Sequence, residues 1–282
     1  MLAAAIPLEA QAFSENHLGV AYLEWLTNSI FVAAVVSVGI VMLARRATMQ
    51  MQLVPGPSQN LFEAVIEALY DMLEGIVGKH MVGKCFSLLA TLFIFILLSN
   101  WFALIPGIGS VGWGDTKGGF FNTNVEVPLL RPSTADLNMT LAMAVFFMFM
   151  WLYWTIQEVG LKGFLEHMFG VKGGVKGFLA FALIPLFFFV GIIEVISTLF
   201  RPVSLSLRLY GNVFAGENLL TTMITLGKQF GFPEWLSAVV SITVPVPFYF
   251  LELLIGILQA LVFTLLCAVY LQLSTSHDEE SH

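Results

Sequence analysis

Long apolar runs constrain this chain more than any other feature. Crossing a hydrocarbon core takes a helix of about 20 predominantly apolar residues. Inside that core the backbone must satisfy its own polar groups, so unbroken apolar runs of this length select helices. Residues 23–44 (LEWLTNSIFVAAVVSVGIVMLA), 83–104 and 136–158 each have the length of one crossing. Two further runs, 178–226 and 233–273, are far longer than a perpendicular span and must tilt, kink or break. Pro202 in the first, and Pro245 and Pro247 in the second, are the expected bends. At 58% hydrophobic and 11% charged, the composition lies outside the soluble range of about half apolar and about a quarter charged. The expected fold is an all-α membrane protein, one membrane domain over 1–282. It has about five membrane crossings, including a long tilted, kinked helical hairpin, plus one amphipathic surface helix.

That surface helix is expected at 57–77. Leu61, Val65, Leu69, Met72 and Ile76 recur at steps of three or four, while Glu63, Glu67, Asp71 and Glu74 form the other face. An acidic face is a poor match for anionic lipid, so a protein partner is expected on it. Arg45 and Arg46 close the first run, and Lys79, Lys84, Lys162, Lys172 and Lys176 fall on the same side, against Lys117, Arg131 and Lys228 on the other. The positive-inside rule then places the N-terminus outside and the C-terminus in the cytoplasm. Residues 1–20 read as an external tail without the basic start of a secretory signal. Residues 107–135 read as a polar, glycine-rich external loop, 160–177 as a cytoplasmic loop, and 274–282 as a cytoplasmic tail. Asp136 and Asn138 suit the start of the third span. Cys85 and Cys267 sit in apolar stretches and read as inert buried thiols. His17, His80, His167, His277 and His282 are assigned to loops or tails. No residues cluster as a metal site, no cofactor is implied, and the sparse basic residues offer no groove for nucleic acid.

Five acidic or basic residues fall within the membrane-embedded parts of the two long runs: Glu194, Arg201, Arg208, Glu217 and Glu252. An arginine at a helix centre costs about 3 kcal/mol on insertion scales, so such groups face partners or water. Glu194, Arg201 and Arg208 are spaced by sevens, and Asn212 continues their stripe. Glu217 lies on the opposite side of the helix, ~13 Å further along its axis. On the last run Glu252 and Gln259 share a face, ~10 Å apart. With Gln259 level with Arg208, Glu217 and Glu252 meet in the outer half and Glu194 is left in the inner half. Two carboxylates in a poorly solvated channel cannot both ionise cheaply, so this pair is expected to hold one shared proton. Arg208 keeps its proton at any working pH. It therefore blocks a direct proton wire and attracts any carboxylate moving past. Half-channels separated in this way need a mobile carrier, and the chain contains no obvious one.

The segments PVSLSLRLYGNVFAGE (202–217) and GILQALVFTLLCAVYL (256–271) resemble the signature segments of subunit a of F-type ATP synthases. SNWFALIPG (99–107), PSTADLNMTLAMA (132–144) and VPVPFYF (244–250) extend the resemblance over most of the chain after about residue 55. The resemblance implies a proton-translocating stator beside a rotating c ring, non-catalytic by itself and without cofactor or metal. Arg208 would face the ring carboxylate, with Asn212 and Gln259 as polar neighbours. Glu217 and Glu252 would form the outer half-channel pair, and Glu194 and Ser197 inner positions. Arg201 and Ser204, which the resemblance does not assign, are expected as supporting residues on the same run. The surface helix would dock on the b subunits of the peripheral stalk, and the long hairpin would wrap the ring within the lipid bilayer of a bacterial plasma membrane. Family members often carry a histidine at one of the two outer positions, and here both are glutamate. Which of the two titrates, and whether sodium can replace the proton, stay open at this point. The alternative class is a secondary ion transporter or antiporter with a carboxylate pathway; its expected internal repeats are absent.

Overall fold

The computed structural model describes residues 27–49, 56–105, 112–114, 125–128, 130–169 and 178–275. The tail at 1–20, the start of the first run at 23–26, most of the 107–124 loop, the basic stretch 170–177 and the tail from 276 onward lie outside the described residues. Five helical stretches are long and apolar enough to cross a membrane: Asn28–Thr48, Gln59–Ala103, Leu137–Leu165, Pro185–Gln229 and Glu234–Thr275.

Helix α1 (Asn28–Thr48) starts where the Thr27 hydroxyl accepts from the Ile30 N–H, and it ends on Arg45 and Arg46, which suit the negative end of the helix dipole. Helix α2 (Pro57–Ala103) opens on Pro57, whose missing N–H is no loss in a first turn. It carries a hinge at Gly78 (φ 78°, ψ 162°), a conformation open to glycine and strained for other residues. The arm before the hinge is the amphipathic segment. Leu69, Leu73 and Val77 are buried against the bundle, and the Tyr70 ring meets Phe86 edge-on at 5.1 Å across the bend. Leu61 and Val65, on the same apolar stripe by spacing, remain exposed at the far end of the arm.

Between α2 and α3 a two-stranded antiparallel ribbon pairs β1 (Gly112–Gly114) with β2 (Val125–Pro128). It is the one non-helical regular element among the described residues, in a connection whose sequence signalled only loop. A 3-10 turn at Ser133–Ala135 leads into α3 (Leu137–Phe169), and the Asp136 carboxylate caps that helix by accepting from the Asn138 N–H at 3.0 Å. Helix α3 has its own hinge at Gly160 (φ 76°, ψ 161°). Beyond it the chain stays helical to Phe169, which corrects the expected loop from 160 onward. Phe164 packs edge-on against Trp151 at 6.3 Å, a tertiary contact that holds the extra turns. His80 and His167 accordingly lie in helices rather than loops. The two hinges are tied together, because Glu158 pairs with Lys84 and, at 3.6 Å, with His80.

Helix α4 (Phe178–Gln229) runs unbroken through Pro185 and Pro202. At 1.5 Å per residue it is ~78 Å long, far more than a core of ~30 Å needs. The bend expected at Pro202 therefore produces no break in the helix. Gly231 (φ 70°) turns the chain into α5 (Glu234–Thr243) and α6 (Pro245–Thr275). The interruption between those two sits at Val244, because Pro245 and Pro247 cannot donate to the helical ladder.

The core lies where α2, α3, α4 and α6 meet. Phe147, Trp151 and Trp154 of α3 fill it, with Leu89 and Ile96 of α2 and Leu205 and Leu209 of α4. On α6 the buried stripe Gly256, Ala260, Thr264, Cys267 and Leu271 is small at most steps, which allows close approach of backbones where apolar burial alone drives little association. A Cβ on Gly256 would stand 3.3 Å from Asn100 Cβ. Cys85 and Cys267 are both buried and free. Asn100 Nδ2 donates to the Gly256 carbonyl at 3.4 Å and Trp101 Nε1 to that of Leu253 at 3.4 Å, fixing the register of α2 on α6.

Candidate functional site

Helix α4 turns little of itself inward, with 17% of its most apolar stretch buried against 44% for α2. Ile193, Ile196, Leu199, Phe200 and Leu207 stand exposed along it. Arg208 projects from this open apolar surface, and no described residue hydrogen-bonds or ion-pairs with it. Leu205 and Leu209, fully buried behind it, fix the helix rotation that points the guanidinium away from the bundle. One turn on, Asn212 Nδ2 donates to Gln259 Oε1 at 2.6 Å. Gln259 is itself buried in α6, and its Nε2 has no hydrogen-bond partner. Ser204, one turn before Arg208, is exposed on the same surface.

At the end of the bundle where Trp101 meets Leu253, Glu252 of α6 reaches α4 at Gly216, the residue next to Glu217. The Glu252 carboxylate of α6 occupies the space over Gly216 of α4, where any side chain at 216 would stand. Both glutamates are half-buried, and Glu217 Oε2 is buried without a hydrogen-bond partner. The guanidinium of Arg131, fully buried, acts electrostatically on Glu217.

At the other end, near the two hinges, a cavity of about 190 Å³ opens between α3, α4 and the end of α6. Glu194, Thr198 and Arg201 line it from α4, with Thr155 from α3 and Ser274 from α6. The Thr155 and Ser274 hydroxyls are 3.0 Å apart, and Trp151 Nε1 donates to the Tyr270 carbonyl at 3.0 Å. The Arg201 guanidinium lies over the Tyr270 ring at 4.7 Å and within 5.9 Å of the Trp151 ring, so cation–π attraction holds it here. Ser197 does not share the cavity; it is exposed on the open side of α4.

The arrangement therefore has two half-buried glutamates, Glu217 and Glu252, at one end, Glu194 lining a cavity at the other, and an outward-facing cation between. Glu194 is ~21 Å and Glu217 ~13 Å from Arg208 along the axis, too far for direct proton exchange. Among the described residues no acidic, histidine or cysteine cluster could hold a metal ion.

A family model described as ATP synthase A chain matches residues 27–272. The chain belongs to the ATP synthase A chain family. Curated relatives agree. ATP synthase subunit a of Geobacter sp. (strain M21) is 33% identical over 96% of this chain and 93% of the relative. The subunit of Protochlamydia amoebophila is 32% identical over 93% and 84%, and that of Moorella thermoacetica 34% over 80% of each.

For this member of the ATP synthase A chain family, sequence reasoning missed two parts of the geometry. Arg131 reads as a loop charge in water, yet its side chain is 1% exposed. Its one signal is the compact RPSTAD run, with a proline and capping residues that fold the connection inward. Gly216 carries the second: a glycine inside a long helix costs stability and is the one available signal of a close approach there.

Proposed function

We propose that this chain is the proton-translocating stator subunit of an F-type ATP synthase, carrying protons to and from a rotating ring of c subunits through two offset half-channels. The observation that carries the reading is Arg208, an unpartnered arginine on the open apolar face of α4. A cation in that setting calls for a mobile carboxylate supplied from outside the chain. A ring carboxylate reaching Arg208 would release its proton, because the neighbouring positive charge favours its ionised form. Asn212 and Gln259, joined at 2.6 Å, would steady the surface beside it.

Protons would reach the ring through Glu217 and Glu252 from outside and leave it through Glu194 and its cavity, with Ser197, Arg201 and Ser204 supporting. Arg45, Arg46, Lys79, Lys84 and Lys162 gather at the hinge end, which supports a cytoplasmic assignment for it under the positive-inside rule. The N-terminus is then outside and the C-terminus cytoplasmic, in a bacterial plasma membrane. The exposed Leu61 and Val65 at the tip of the α2 arm suit docking of the peripheral-stalk b subunits. The chain catalyses no bond chemistry on its own, and the ring's ion-binding carboxylate decides between proton and sodium.

Purification from membranes tests the reading. A ring of small c subunits and the stalk subunits should accompany the chain, and the reconstituted complex should make ATP from an imposed proton gradient. A chain that purifies alone and conducts without partners would refute it.

A further inference from the structure

Glu158 takes no part in the reading above, yet it joins two helices that hardly approach each other elsewhere. Helix α2 packs chiefly on α6 and α3 chiefly on α4, and α2 and α3 make few close backbone approaches to one another. At the hinge end Lys84 Nζ pairs with Glu158 Oε1, and His80 Nδ1 stands 3.6 Å from Oε2, so α2 engages both oxygens of one α3 carboxylate. Ion pairs in open water contribute little. Here the Glu158 side chain is 21% exposed, and its two partners sit four residues apart on one face of α2.

This clasp lies beside both backbone hinges. Gly78 precedes His80 by two residues, and Glu158 precedes Gly160 by two. The same stretch of α3 forms one wall of the cavity that Glu194 lines, with Thr155 and Val159 before the hinge and Phe164 and Met168 after it. Trp151 and Thr155 tie that wall to α6 through Tyr270 and Ser274. Glu158, almost one turn nearer the hinge, ties it to α2. The Phe164–Trp151 contact lies within α3 itself, so it sets the bend at Gly160 without fixing α3 against another helix. The clasp supplies that second direction of restraint.

We propose that Lys84 and His80 are positioning residues of the Glu194 cavity, which act through Glu158 to hold the α3 wall where Glu194 can pass protons toward the hinge end. The inference rests on the reading of Glu194 as the exit station. With the clasp open, α3 is free to pivot about its ties to α6, the wall shifts, and proton exit slows. Arg208, Glu217 and Glu252 keep their places, because none of them touches the clasp.

The test uses the reconstituted complex, with proton-driven ATP synthesis measured per assembled complex. His80→Ala/Lys84→Ala should slow it by roughly two- to fivefold. Lys79→Ala is the control for lost charge: its side chain is 91% exposed and pairs with Glu74 at 3.9 Å, and the rate should not change. Lys84→Glu sets two carboxylates against each other and should be slower still, and adding Glu158→Lys should recover most of the rate. A second readout follows the cavity directly. Thr198→Cys is labelled with a membrane-impermeant maleimide from the hinge side; its labelling rate should change when Lys84→Glu is added and return with Glu158→Lys. Cys85 and Cys267 are buried and do not compete. Wild-type rates in both clasp variants, a charge swap no better than Lys84→Glu alone, or labelling indifferent to the clasp would each overturn the proposal. If the clasp variants do not assemble, the swap decides: assembly with transport restored supports the proposal, and failure to assemble overturns it. A Glu194→Gln complex with wild-type transport would remove both this inference and the reading beneath it, whereas a slow Glu194→Gln beside a normal Lys84→Glu removes the inference alone.

Discussion

Gly216→Ala is a small change with a specific expected consequence. Gly216 lies inside α4, where glycine costs about 0.5–1 kcal/mol relative to alanine, so on helix propensity alone the substitution would be favourable. A Cβ there would fall on the Glu252 carboxylate, meeting its carbon and both oxygens. The obstacle is the far end of a flexible side chain, so Glu252 moves and the helices stay in place. Pushing its torsions about 30° off a rotamer costs ~0.5–1.5 kcal/mol, and if that cost appears in the transport barrier the rate falls by roughly two- to tenfold. Assembly should be unchanged, because no backbone has to shift. The assay is proton-driven ATP synthesis per assembled complex. The partner variant Glu252→Asp withdraws the carboxylate by one methylene. Alone it should slow transport by loosening the pair; with Gly216→Ala it should remove the collision, so the double variant performs better than the product of the single effects. Strict additivity of the two changes, or a wild-type rate in fully assembled Gly216→Ala, would refute this account of the glycine.

Arg208→Ala should abolish proton-driven synthesis, and Arg208→Lys should lose most of it, because a desolvated amine can shed its proton and offers a different donor geometry; normal synthesis in the lysine variant would remove the assigned role. Arg201→Gln should lose activity only in part, since Arg201 is held by Tyr270 and Trp151 rather than facing outward; a variant as inactive as Arg208→Ala would reverse that ranking. Gly227→Ala should destabilise the turn between α4 and α5 by about 1–3 kcal/mol, because its Cβ would stand 2.9 Å from the Ser237 Cα, backbone that cannot swing aside; a complex of unchanged melting temperature would argue against that close packing.

The crossings were legible because hydrocarbon imposes one requirement on every segment inside it, and apolar length reports it directly. The turns were less legible. Gly78 and Gly160 both adopt positive φ, and both occur in runs that read as ordinary helix ends. Whether helix resumes after such a glycine depends on what the next turn touches. After Gly160 that contact is Phe164 against Trp151, which no local pattern announces. The β1–β2 ribbon was invisible for a similar reason, since a three-residue Gly-Trp-Gly strand carries no alternating signal of its own. Leu61 and Val65 show the converse. Periodicity placed them on an apolar stripe correctly, but a stripe specifies no neighbour, and the bundle covers only its Leu69–Val77 half.

Within the candidate site, spacing by sevens suggested a single stripe for Glu194, Arg201 and Arg208. Arg208 faces the open side while Arg201 and Glu194 line the hinge-end cavity; one heptad turns an α-helix by only ~20°, so Arg201 departs from the stripe because its long side chain reaches the Tyr270 and Trp151 rings. The contrast between Arg208 and Arg131 carries the same point further. The sequence places Arg208 in a membrane helix, facing a partner or water, and Arg131 in the external loop. In the fold the loop arginine is enclosed beside a carboxylate, whereas the membrane arginine projects from an apolar face. Among the described residues none meets the charge of Arg208. An arginine of this kind stays in a membrane helix where water, a cavity or a partner meets its charge. The exposed cation therefore needs water or a partner beyond the described residues, and the proposed ring carboxylate is one way to supply it, whereas Arg131 is enclosed within the fold.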